Sequence, residues 1–152
     1  AVNGALRSHD APARAWTVTD PAFDVDADND MFEVWPWAGH RAFAYDLIAF
    51  ARPRRVVELG VHVGTSFFAL LQGVKDAGLD TRIVGVDTWK GDNHTGPYDD
   101  AVYRSIRTLV DRHFQGLDVT LRRSTFREAL PHVADGSIDL LHIDGFHTFD
   151  AV

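Results

Sequence analysis

The chain has 152 residues, 45% of them hydrophobic, which is enough for one domain with a substantial core and argues against disorder for most of its length. Its formal net charge of −7 at pH 7, with no basic stripe to offset it, argues against nonspecific binding to nucleic acid or to an anionic membrane. There is no cysteine, which excludes disulfides and thiolate metal sites; with no apolar run long enough to span a bilayer and no basic-then-apolar leader, a soluble, cytoplasmic protein is the default expectation.

Residues 1–36 read as an irregular amino-terminal segment that contains Pro12, Pro21 and an acid-rich run of Asp20, Asp24, Asp26, Asp28 and Asp30. The run lacks the glycine and terminal glutamate of an EF-hand loop, so a solvated linker is expected. The turn-forming stretch Trp35, Pro36, Trp37, Ala38, Gly39, His40 leads into a helix whose apolar face is Phe43, Leu47 and Phe50, with Ala44, Ile48 and Ala51 beside them. Pro53 stops it, and the helix is expected to pack against a sheet.

A β-branched run at 56–59 reads as a buried strand ending at Gly60, and Phe67, Phe68, Leu70, Leu71 and Val74 mark the buried side of the helix that follows. Residues 82–87 read as a second buried strand. The next stretch, 88–98, is too rich in glycine and polar groups for a regular element. Val102, Tyr103, Ile106, Leu109, Val110 and Phe114 fall at helical spacing, and residues 119–123 read as a third strand. Phe126, Ala129, Leu130 and Val133 mark another helix, Asp135-Gly136 turns the chain, and residues 138–144 form a fourth strand. Alternating strands and helices imply an α/β fold with a parallel sheet and flanking helices.

In an open parallel sheet, ligands sit beyond the carboxyl ends of the strands, where Glu58, Asp87, Ser124 and Asp144 all fall. The first strand enters its helix through Gly60 and Gly64, which allow close backbone approach to a ligand. Their spacing is G-x-x-x-G rather than the dinucleotide pattern G-x-G-x-x-G. Glu58 there would face a cation better than a pyrophosphate, or would accept hydrogen bonds from the glycine turn. Asp87 stands where ribose hydroxyls are held. Ser124 and Thr125 would lie near an adenine, or cap a helix together with Glu128. Near the end, Asp144 and His147 stand three apart across Gly145. His147 can accept a hydroxyl proton near neutral pH; Asp144 can bind a hard divalent cation or orient the histidine. His142, inside an apolar strand, reads as a satisfied core histidine. Trp89, His94 and Tyr98 lie in a loop that either covers a ligand or packs on the sheet.

Three stretches carry a family likeness: Glu58-Leu59-Gly60 with Gly64 and Ser66; Val86-Asp87-Thr88-Trp89-Lys90-Gly91; and His142-Ile143-Asp144-Gly145-Phe146-His147. Together they resemble the class I S-adenosylmethionine-dependent methyltransferases, in a branch of sugar and small-molecule O-methyltransferases often found beside glycosyltransferases. The likeness runs from Trp37 to the last residue, which sets a domain of 37–152, and departs from the usual first motif at His62, where a glycine is common. It implies a Rossmann-like sheet with S-adenosylmethionine held by Glu58, Gly60, Gly64, Ser66, Asp87, Thr88, Ser124 and Thr125. It further implies Asp144 as a ligand of Mg²⁺ or another divalent cation, and His147 as general base toward a sugar or small-molecule hydroxyl. In that family three further strands follow the fourth, so the chain is expected to be the amino-terminal portion, strands 1 to 4, of a seven-stranded domain. The exposed edge of the fourth strand would then be open to homo-oligomer pairing. A noncatalytic cofactor- or partner-binding fragment and a nicotinamide-dependent oxidoreductase remain as alternatives.

Overall fold

The computed structural model describes residues 14–28, 32, 36–92, 96–97 and 99–145. Its elements in chain order are α1 (Arg41–Ala51), β1 (Arg55–Leu59), α2 (Thr65–Asp76), β2 (Arg82–Asp87), β3 (Gly91–Asp92), β4 (Gly96–Pro97), α3 (Asp100–His113), β5 (Asp118–Arg123), α4 (Phe126–Ala129) and β6 (Leu140–Ile143). Four strands form one parallel sheet in the order β5-β2-β1-β6. The short pair β3 and β4 is antiparallel and sits within the stretch expected to be irregular.

The sheet has two unequally covered faces. On one, Val56, Ile83, Val119 and Leu140 meet α2 and α3, whose Phe67, Phe68, Leu71, Ile106 and Leu109 complete the main core. α2 is buried along almost its whole length because it lies between the sheet and α1. Phe67 packs over Gly85 of β2, where an added Cβ would come within 2.8 Å of the ring. On the other face Val57 and Val86 meet Ala129 and Phe126 of α4. Leu141 and Ile143 of β6 remain 45% and 43% exposed. Among the described residues β6 pairs only with β1.

Two expectations are corrected. Of the apolar face expected for α1, Ala44 and Ile48 are buried, flanked by Arg41 and Asp46, whereas Phe43 and Phe50 are exposed, and the helix packs on α2 rather than directly on the sheet. The reason is steric. The helices approach most closely at Gly73, where an added Cβ would sit 2.9 Å from Ile48 Cβ and 3.0 Å from the Tyr45 carbonyl oxygen, so only slender side chains fit the seam. Phe43 and Phe50 instead receive Trp16 of the amino-terminal segment, at centroid distances of 5.6 and 5.4 Å.

The acidic run is likewise no solvated linker where it is described. Val25 is buried in the main core, and the carboxylates around it reach three helices. Asp24 pairs with Lys75 of α2 at 2.5 Å, which holds its carboxyl below the usual carboxylate range. Asp26 pairs with Arg41 of α1 at 2.6 Å, and Asp28 with Arg112 and His113 of α3. Buried Asp46 accepts from the Thr19 hydroxyl at 2.5 Å and its N–H at 3.1 Å. Asp30 lies outside the described residues.

Helix ends follow local chemistry. Arg52 closes α1 in the left-handed region (φ 45°) just before Pro53. Asp99 caps α3 by accepting from the Ala101 N–H at 2.7 Å. Thr125 begins α4 with a capping box: its hydroxyl accepts from the Glu128 N–H, and the Glu128 carboxylate accepts from the Thr125 N–H at 2.9 Å. Thr125→Ala should therefore lower stability by about 1 kcal/mol in thermal denaturation, and an unchanged midpoint would show that this cap contributes nothing.

Candidate cofactor site

β1 is flanked by β2 on one side and β6 on the other: the chain winds outward from β1 through β2 to β5 and then returns to set β6 on the far side of β1. Such a switch point opens a crevice at the carboxyl ends of the strands. The loop from Gly60 to Gly64 lines it, with Gly60, His62 and Gly64 all at positive φ (91°, 53° and 95°). Asp87, at the end of β2, holds this loop in shape. Its Oδ2 accepts from the Val61 and His62 N–H groups, each at 2.9 Å, and its Oδ1 from the Trp89 N–H at 2.7 Å. Three donors occupy three of about four acceptor positions on the carboxylate, so one remains for a ligand hydroxyl.

The two glycines also do structural work. The space beside Gly60 is filled by the chain itself, since a Cβ there would lie 2.1 Å from the Asp144 carbonyl oxygen. At Gly64 a Cβ would meet the Phe68 ring at 2.5 Å. They let β1 close against the end of β6 and against α2, and the shape of the crevice follows from that contact. Trp89 is no ligand cover: it is fully buried, donates from Nε1 to the His62 carbonyl at 3.0 Å and packs on Tyr103 at 4.9 Å.

Glu58 sits in the middle of this arrangement, completely buried. Its Oε1 accepts from the Ser66 hydroxyl at the start of α2 and from His142 Nδ1 on β6, the latter at 2.9 Å. Its Oε2 is shut away from solvent and has no hydrogen-bond partner. Burial pushes the Glu58 carboxyl above the usual carboxylate range, against the lowering effect of the His142 and Ser66 bonds. The hydrogen bond to Glu58 raises the His142 imidazole above its ordinary value. A sealed polar atom without a partner costs about 1–3 kcal/mol, and a cationic ligand group set against Oε2 would offset that cost. A buried carboxylate oxygen without a partner therefore fits the ammonium of a cofactor better than a phosphate. The Ser124 hydroxyl, at the end of β5, is a second buried group without a partner; its N–H donates to the Asp87 carbonyl at 3.0 Å.

Glu58, Gly60, Gly64, Ser66, Asp87, Ser124 and Asp144 are thus brought to one edge of the sheet. Thr88 stands beside Asp87 and uses its carbonyl to accept from Arg123 Nε and its hydroxyl to accept from the Lys90 N–H, both at 3.3 Å. Thr125 is the exception, because its hydroxyl belongs to the capping box rather than to the crevice. Among the described residues no three histidine or carboxylate side chains gather as a metal set, so the cation at Asp144 is not supported by them. His94, Tyr98 and His147 lie outside the described residues. His142 is satisfied, as expected, but its partner is the site's own Glu58. Only the pairing of β1 with β6, which sets Glu58 opposite His142, reveals that contact.

Residues 57–152 match the family described as "Methyltransferase domain". The uncharacterized protein y4gI of Sinorhizobium fredii (strain NBRC 101917 / NGR234) is 40% identical over 116 residues, covering 76% of this chain and 12% of that protein. The chain thus spans only a small part of the length of the curated relative it matches. Among solved structures, the Podospora anserina methyltransferase PaMTH1 superposes with a TM-score of 0.59 at 18% identity, over 80% of this chain and 50% of that one, a likeness of fold. No helix among the described residues is long and apolar enough to cross a membrane. With more than half its length under that family match and the matching sheet beneath it, the chain belongs to the methyltransferase-domain family.

Proposed function

We propose that the chain forms the cofactor-binding part of an S-adenosylmethionine-dependent O-methyltransferase. The observation that carries this reading is the buried, partnerless Oε2 of Glu58 at the switch point of the sheet. It is supported by PaMTH1, which shares the fold and was crystallised with S-adenosylhomocysteine bound. In this reading Glu58 and Ser66 hold the amino-acid end of the cofactor, Asp87 the ribose through its remaining acceptor position, and Ser124 the adenine end. S-adenosylmethionine supplies an electrophilic methyl group on a sulfonium. The fold's contribution is alignment of an acceptor hydroxyl with that methyl, and exclusion of water. His147 would take the hydroxyl proton on a ring nitrogen. The acceptor would be a hydroxyl of a sugar or another small molecule; a divalent ion at Asp144 is a further element of the reading on which no step depends.

Calorimetric titration with S-adenosylhomocysteine should give saturable heat, and Glu58→Gln, which keeps the shape but removes the charge, should weaken binding about tenfold or more. Heat from NADH and none from S-adenosylhomocysteine would overturn the reading in favour of an oxidoreductase. Binding without methyl transfer in the full-length protein would reduce it to a noncatalytic domain.

A further inference from the structure

A glutamate side chain reaching a ligand can present either carboxylate oxygen, and a buried one that must meet a cation benefits from having that choice removed. At Glu58 the choice is removed by asymmetry. Both donors, the Ser66 hydroxyl from α2 and the His142 imidazole from β6, converge on Oε1, and Oε2 is left bare. The two donors are not equivalent. A hydroxyl rotates freely about its C–O bond and can follow whichever oxygen comes near. The imidazole cannot. His142 faces Glu58 directly in the β1–β6 register, so the sheet sets the distance between them. Trp37 packs edge-on against its ring at 5.2 Å and in turn meets His40 at 5.6 Å, which restricts the ring's rotation.

We propose that His142 is a positioning residue: it pins Oε1 of Glu58 so that Oε2 is the oxygen presented to the α-ammonium of the cofactor. The inference rests on the methyl-donor reading and extends it to a side chain that need not touch ligand. It makes a demand that a general packing role for His142 does not: its loss must hurt ligands bearing the ammonium and spare ligands without it.

The test compares S-adenosylhomocysteine with its analogue in which hydrogen replaces the α-ammonium, titrated calorimetrically into the wild type, H142F and H142N. Phenylalanine keeps the ring against Trp37 and removes the donor; asparagine keeps a donor near the Nδ1 position. H142F should lose about tenfold in affinity for S-adenosylhomocysteine and bind the deaminated analogue as the wild type does, and H142N should stay within about threefold of the wild type for both. Equal weakening of both ligands in H142F, or no weakening of either, would overturn the assignment while leaving the cofactor reading intact. A wild type that binds neither ligand would overturn the cofactor reading and the assignment with it. If H142F does not fold, H142Q carries the same comparison, since its donor is displaced outward and the selective loss is expected there too.

Discussion

Asp87→Ala should lower stability by about 3 kcal/mol and remove measurable binding of S-adenosylhomocysteine. The stability loss follows from what the carboxylate holds. Val61, His62 and Trp89 donate three backbone N–H groups to it, from the glycine loop and from the residues just beyond β2. Alanine leaves all three without an acceptor, and His62 in the glycine loop and Trp89 just beyond β2 are both at positive φ, conformations that L residues rarely hold without such support. Hydrogen bonds to a charged group contribute about 1.5–3 kcal/mol each, and the sum is smaller than three independent bonds because water can reach part of a relaxed loop. The binding loss follows if the remaining acceptor position meets ribose. Denaturant unfolding and calorimetry on the same variant separate the two roles. A destabilised but folded variant with unchanged affinity would leave the clamp and remove the ribose assignment.

Gly60→Ala should cost about 3 kcal/mol or more, as backbone strain and overpacking combine. The added Cβ would lie 2.1 Å from the Asp144 carbonyl oxygen, 2.6 Å from its carbon and 2.7 Å from Gly145 Cα, all backbone atoms with no side-chain torsion to relieve the clash. The ends of β1 and β6 would have to part, which breaks the bond from the Asp144 N–H to the Leu59 carbonyl at 2.8 Å and loosens the neighbouring Glu58–His142 contact. Gly78→Ala is the control. Gly78 also has positive φ (58°) but nothing within 4 Å of an added Cβ, so only the conformational cost of about 1 kcal/mol is expected there. Equal losses for the two variants in denaturant unfolding would show that steric contact between β1 and β6 does not hold the crevice in shape.

Much of the fold was legible because its signals are local. The second strand, 82–87, stands where its β-branched run placed it, and the first and third each begin one residue earlier than expected, at Arg55 and Asp118. The capping role of Thr125 was likewise readable from Glu128 three residues on. The buried side of α1 was legible only in part: Ala44 and Ile48 were on the expected face, but periodicity also marks the bulkiest apolar residues, Phe43 and Phe50, whereas the seam with α2 admits only what fits beside Gly73. Nor could the acidic run be read as anything but solvated, because its partners Arg41, Lys75, Arg112 and His113 sit on three separate helices.

The sequence by itself determined the alternation of strands and helices, the family, and the set of polar residues at the carboxyl ends of the strands, since these depend on short-range pattern and turn chemistry. Tertiary structure alone decided which of those residues meet. Glu58 and His142 are 84 residues apart and become partners only because β6 docks beside β1, and that docking makes one carboxylate oxygen a fixed acceptor and leaves the other bare. Strand order rests on long-range packing and loop closure, which no local run of residues encodes.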